Sequence, residues 1–297
     1  MIEITGHIEY KVIKRVKDNE RFEVNDLHHY DLAVQVGMRD MQVMATDSRT
    51  GRCLLLEDYV LNDHENLDQF LELLHKVYDE HYVLSAGFWN SVTVSGKSGM
   101  YSFVPKEHFM AELAPHYLQL SCEVDDSVHV LYNEHKDLGF VNVFGIPWAL
   151  VDFFERSYPS KEIVYTHQSS SLVEGIAKSL GKIDDKRMSM FADRFYMHLI
   201  AFDGDRLLFY NRFPIQRFED YVKYVNINSK HLGIDTVLGE MTLWGFISHK
   251  TPHYRQLQRF IPNLTLGDRP EGLSFCYEFD ELEDNQYFDV FQLRNSS

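Results

Sequence analysis

Residues 31–61 read DLAVQVGMRDMQVMATDSRTGRCLLLEDYVL. Two apolar runs, 32–38 and 41–47, are followed by the turn residues Ser48, Arg49, Thr50 and Gly51 and by a third run, 52–61. This pattern predicts a three-stranded β-meander. Asn62, with Glu65 three residues on, has the form of a helix capping box. Leu67, Phe70, Leu71 and Leu74 then recur at i, i+3, i+4 and i+7, which predicts a helix with one buried face.

The same order returns later in the chain. Runs at 188–192, 196–203 and 206–215, with a turn at Gly204 and Asp205, precede Phe218, Tyr221, Val222 and Val225 at helical spacing. Aligning Asp47 with Asp203 places Gln42 on His198, Gly37 on Asp193 and Val34 on Met190. A further block, with a strand at 140–146, a helix at 148–158, Pro159 and a strand at 163–165, is matched by 241–248, 254–260, Pro262 and 264–266. The expectation is an internally duplicated α/β protein with a first lobe at 1–182, a second at 183–297, and an inserted subdomain at about 83–138.

The composition fits this size. With 297 residues, 44% apolar and 14% aromatic, the chain can fill two cores. No run approaches the roughly 18 apolar residues of a membrane helix. The opening MIEITGHIEYKVIKRVKD lacks the apolar core of a signal peptide, so the expected location is cytoplasmic, without a membrane span. Cys53, Cys122 and Cys276 lie far apart in no metal-binding spacing and are expected to be reduced and buried. A net charge of −16 with no basic stripe argues against a nucleic-acid partner. The acidic run Glu278, Asp280, Glu281, Glu283, Asp284 and Asp289 falls between strand-like stretches at 273–279 and 287–293, which predicts an exposed hairpin tip.

A duplicated unit of three antiparallel strands, a helix and further strand-helix units resembles the ribonuclease-H-like plan of actin, sugar kinases and bacterial pilus and cell-division proteins. The segments DLAVQVGMRDMQVMATD (31–47), MYSFVPKEHF (100–109), NVFGIPWALVDFF (142–154) and YFDVFQL (287–293) resemble, more narrowly, the bacterial family called domain of unknown function 3822. That resemblance implies an actin-like ATPase fold, with two lobes of mixed sheet and helix, and assigns no activity.

In active members of the superfamily, an Asp-x-Gly at the first strand of each half serves magnesium and phosphate. The acid holds the ion through water, and the glycine lets backbone amides approach the phosphates. The matching residues here are Gln35, Val36 and Gly37 in the first half and Phe191, Ala192 and Asp193 in the second, with Arg194 next. An amide and a bulky ring stand where the acids belong. Asp193 would repel a polyphosphate unless Arg194 offsets it. The element that contacts adenosine corresponds to Leu243, Trp244, Gly245 and Phe246, with one glycine where the superfamily has two. Trp244 and Phe246 have the bulk to fill the place of the base.

Other motifs carry less. Ser95, Gly96, Lys97, Ser98 and Gly99 lack the first glycine of a P-loop, since Ser91 stands there, and the surrounding VTVSGKSGMYSFV predicts a hairpin. Met100 removes the last glycine of a nucleophile elbow. The pairs His28 with His29, His129 with His135 and His249 with His253 have no third metal ligand in evident spacing. The resulting expectation is a protein with no catalytic or metal residue and no cofactor, acting by binding another protein, the aromatic-rich insertion being the candidate surface. The alternative is an ATP-binding protein or ATPase using magnesium, with Gln35, Gly37, Asp193, Arg194 and Gly245 lining the interlobe cleft; a small-molecule sensor using that cleft is a third possibility.

Overall fold

The computed structural model describes residues 10–62, 64–182 and 185–295. The meander region gives β1 (Tyr10–Lys17), β2 (Tyr30–Val36), β3 (Asp40–Asp47) and β4 (Cys53–Leu61), followed by α1 (Leu67–Glu80) and β5 (Ser91–Gly96). The middle of the chain gives β6 (Tyr101–Pro105), α2 (Ala114–Gln119), β7 (Val128–His135), β8 (Phe140–Pro147), α3 (Trp148–Ser157), β9 (Ile163–His167) and α4 (Gln168–Leu180). A second series follows as β10 (Lys186–Ala192), β11 (Tyr196–Asp203), β12 (Arg206–Pro214), α5 (Phe218–Leu232), β13 (Met241–Gly245), α6 (Pro252–Leu257), β14 (Leu264–Leu266) and α7 (Phe288–Phe291).

These strands form three sheets. One has the order β1-β4-β3-β2-β5-β9 and another the order β12-β11-β10-β13-β14. In each, a meander is extended by two parallel strands, β5 and β9 beside β2, and β13 and β14 beside β10. The third sheet, β6-β8-β7, is antiparallel throughout.

Alternation along the strands decides what faces what. In β2, Leu32, Val34 and Val36 enter a core shared with Phe70 and Leu74 of α1 and Val151 and Phe154 of α3. Ala33 points to the opposite face, where Val290 and Phe291 of α7 pack. In β10, Met188, Met190 and Ala192 meet Tyr221 and Val225 of α5, while Phe191 turns the other way, toward Leu172 and Ile176 of α4. The inner faces of the two large sheets therefore meet across α4 and the C-terminal segment.

Several expectations change. Helix α1 is capped by Asn66, whose side chain accepts from the Gln69 N–H at 3.0 Å, not by a box at Asn62 and Glu65. Residues 91–105 do form two strands, but not a hairpin: β5 lies parallel between β2 and β9, and β6 pairs with β8. Val92 and Val94 are fully buried, which suits an inner parallel strand. It is therefore β5, not 140–146, that takes the place corresponding to β13, and residues 140–147 belong to the third sheet. The insertion read at 83–138 thus includes a strand of the first sheet and omits one of the third. The boundary read at 182 and 183 adjoins residues outside the described set.

The C-terminal acidic run is not a hairpin either. A 3-10 turn at Tyr277–Glu281 leads to Tyr287, whose φ of 56° is left-handed, and then to α7 and a second 3-10 turn, Gln292–Asn295. That bend is rare for a large side chain. It turns Phe288 and Asp289 into the space between the sheets, and Asp289 is buried rather than solvated. Among the described residues no helix is long and apolar enough to cross a membrane.

Candidate functional site

The parallel strands β2, β5, β10 and β13 present their carboxyl ends to a common crevice, the usual place for a ligand in an α/β sheet. Gln35 and Gly37 come from the end of β2, Asp193 and Arg194 from the end of β10, and Gly245 from the end of β13. The residues chosen from sequence do converge on one region. They are joined there by others that the sequence reading passed over.

The centre is a buried ionic network. Lys97, just after β5, lies 2.7 Å from Asp40 Oδ2 and 3.0 Å from Asp193 Oδ2. Arg194 pairs with Asp58 at 2.6 Å, and Asp58 also accepts from Tyr287 Oη at 3.0 Å and Gln42 Nε2 at 2.9 Å. Gln35 Nε2 donates to Asp289 Oδ2 at 2.6 Å. Gln168, the first residue of α4, donates to the same oxygen at 2.8 Å and to Asp193 at 3.2 Å.

Burial and charge set the titration of these groups. Desolvation would lower the Lys97 ammonium, but Asp193 and Asp40 more than offset it and hold the pKa above the ordinary range. Burial would likewise raise Asp193, and Lys97 reverses this and keeps it ionised. Asp40 is pushed up, chiefly by burial, with Lys97 only partly offsetting it. Asp289 is pushed up to about 6 by burial, which Lys97 only partly offsets; among the described residues it receives amide donors and no cation at contact distance. His167 and His198 are pushed down to about 3 by burial and are neutral at physiological pH.

A hydrated magnesium ion fits this set poorly. Gln35 spends its amide on Asp289, and Phe191 is 1% exposed inside the core formed with α4. The carboxylates present each face a cation or amide donors already. Arg194, expected as a counter-charge for phosphate, is committed to Asp58 and lies 5.1 Å from the Phe246 ring.

Gly245 has a different task from the one its motif suggests. Its φ is +98°, and a Cβ there would lie 2.1 Å from the Ala192 carbonyl oxygen, so the glycine serves the close approach of β13 to β10. Asn285 takes both of its main-chain groups: Gly245 N–H donates to the Asn285 carbonyl at 2.7 Å, and Asn285 Nδ2 donates to the Gly245 carbonyl at 2.9 Å. Trp244 is buried, donates to the Asp268 carbonyl at 3.1 Å and packs its ring, tilted, against Phe288 with centroids 5.0 Å apart. The chain's own C-terminal segment therefore occupies this strand end.

A cavity of about 530 Å³ opens at the mouth of the crevice, between the turn of residues 37–39 and the turn after Asp193. Arg39 stacks over Phe195 at 3.6 Å and Arg212 over Tyr196 at 3.4 Å, both at its rim. Elsewhere, Asp18, Cys276 and Glu278 converge, but Asp18 is spent on Arg52 at 2.5 Å and on the N–H groups of Glu20 and Arg21.

Lys97 lies in the Gly-Lys-Ser stretch that lacks the first glycine of a P-loop, and Asp289 in the final YFDVFQL segment. A lysine immediately after an inner strand, and one acid within an apolar run, were the available signals. Pairing them with Asp193 and Gln35 required the topology.

No curated protein matches the chain. A solved protein from Bacteroides thetaiotaomicron, with an actin-like ATPase fold and unknown function, superposes with a TM-score of 0.76 at 21% identity, covering 93% of this chain and 99% of that one. A chain of the PilM–PilN type IV pilus biogenesis complex gives 0.61 at 10% identity, covering 89% and 97%. The fold is thus the actin-like ATPase fold. Residues 19–264 match the family described as protein of unknown function (DUF3822), and the chain belongs to that family.

Proposed function

We propose that this protein is a non-catalytic, cytoplasmic binding or scaffold module that keeps an actin-like fold without ATP hydrolysis, and that its partner is another protein. The observation that carries this reading is the ionic network at the crevice, where Lys97 lies between Asp40 and Asp193 and Asp289 takes the amides of Gln35 and Gln168. A polyphosphate entering there would have to displace buried ion pairs, and separating one such pair costs about 3–5 kcal/mol. The hold of Asn285 on Gly245 supports the same conclusion at the adenosine end. The printed subject of one similar structure, a pilus biogenesis complex, agrees with a life among protein partners.

One observation favours a second reading, ATP binding with magnesium. The 530 Å³ cavity lies beside Gly37 and has Arg39 and Arg212 at its rim, which suits an anion. Thermal unfolding separates the two readings, because a ligand that binds the native state raises the melting temperature. We expect no shift with millimolar ATP and magnesium and no phosphate release. A shift that Gly37→Trp abolishes would overturn the non-catalytic reading.

A further inference from the structure

Two sheet edges border one groove. β12 is the outer strand of the second large sheet and β6 an outer strand of the small one, and they line a groove of about 940 Å³. The groove shares Gly99, Tyr101 and Asn211 with the cavity at the crevice mouth, so the two adjoin there. Tyr210 stands in it, edge-on to Tyr101 at 5.3 Å and to Phe103 at 5.1 Å.

The ladder shows which main-chain groups are open. Ile215 N–H donates to the Phe195 carbonyl at 3.1 Å. Bonded and non-bonded pairs alternate in an antiparallel ladder, so Phe213, Asn211 and Phe209 bond to β11 while Tyr210 and Arg212 face outward. Arg212 N–H accordingly donates to Asn211 Oδ1 at 2.8 Å. The β6 edge is blunted, since the Tyr101 carbonyl accepts from the Ser121 hydroxyl at 2.9 Å and Pro105 has no N–H. The usable edge is that of β12 at Tyr210.

Charge says what would lie along it. The chain has 45 acidic residues against 29 Lys and Arg, yet Arg39 and Arg212 have no carboxylate partner among the described residues. Arg212 Nε is buried and has no hydrogen-bond partner among the described residues. Asp40 and Asp193, the carboxylates lining that cavity, are taken by Lys97.

We propose that the groove and the adjoining cavity bind an extended acidic peptide segment of a partner protein. Its main chain adds to the β12 edge at Tyr210, apolar side chains rest on Phe103, Leu207 and Tyr210, and a carboxylate reaches Arg39 and Arg212. The inference rests on the non-catalytic binding reading and names the partner's chemistry.

The test uses the full chain and fluorescent octapeptides that begin with two glutamates and continue as alternating Val/Thr, Leu/Ser or Phe/Thr, with lysine-headed versions as controls. We expect at least one glutamate-headed peptide to bind, its lysine-headed version to bind about tenfold or more weakly, and Arg212→Ala or Arg39→Ala to lower affinity to a similar extent. Hydrogen exchange at the Tyr210 amide should slow on binding, which a contact by charge alone would not cause. The proposal is overturned if no peptide binds below millimolar concentration, if charge reversal leaves affinity unchanged, or if Tyr210 exchange is unaffected. ATP turnover would overturn the parent reading instead, whatever the peptides do.

Discussion

Asp289 is a buried acid with amide donors and, among the described residues, no cation at contact distance, and this makes its protonation a stability variable. Its pKa is raised from 3.8 to about 6 by burial, so between these values the folded protein holds more protons than the unfolded chain. The contribution of Asp289 is therefore fully present below about pH 3.8 and is lost as pH rises through about 6. Asp289→Asn keeps an oxygen for Gln35 and Gln168 but removes the charge. We expect it to be more stable than the parent above pH 6, by on the order of 2–3 kcal/mol, with the difference vanishing toward pH 4. Urea unfolding at several pH values measures this, and a difference independent of pH would show that the carboxyl is not the titrating group.

At the level of elements, the segment around α7 holds two sheets at once. Asn285 is buried and donates to the carbonyls of Gly245 and Ile247 at 2.9 and 2.7 Å. Asn285→Ala should cost about 2–4 kcal/mol, as two buried acceptors lose their donors, and should speed proteolysis near residue 285. Wild-type stability and cleavage would refute this role. The element scale also shows where sequence reading stops. The meanders were legible because their period of two and their turns at Gly51 and Gly204 are local signals. The position of β5 was not, because parallel pairing leaves no mark in the neighbouring residues, and SVTVSG followed by a Gly-containing turn looks the same as half a hairpin. The C-terminal strands were misread because apolar residues in YFDVFQL are spent on two different cores, Phe288 on one and Val290 and Phe291 on another. Of the candidate site, Gln35, Gly37, Asp193, Arg194 and Gly245 were legible through the resemblance to the superfamily's phosphate and adenosine elements, with the alignment of the two series setting Gly37 against Asp193; their partners were set by long-range packing.

For the whole molecule, α4 and α7 give the two large sheets a shared interior. Trp89 lies in the core of the first sheet and Trp244 in the cluster between the sheets, both essentially unexposed. We expect fluorescence and far-ultraviolet circular dichroism to report one coincident unfolding transition in urea. Two separated transitions would mean that the sheets unfold independently despite the bridge.

The bond between Gln35 and Asp289 joins residues 254 positions apart in the chain. Synthesis at about 5–20 residues per second takes roughly 13–50 s to cover that distance. Throughout that interval the inner face of the first sheet, with Ala33, Met44 and Leu56, has no α7 to cover it. The nascent protein thus presents an apolar sheet face to the cell for most of its translation, and shielding by a chaperone in that interval would be a condition of its yield.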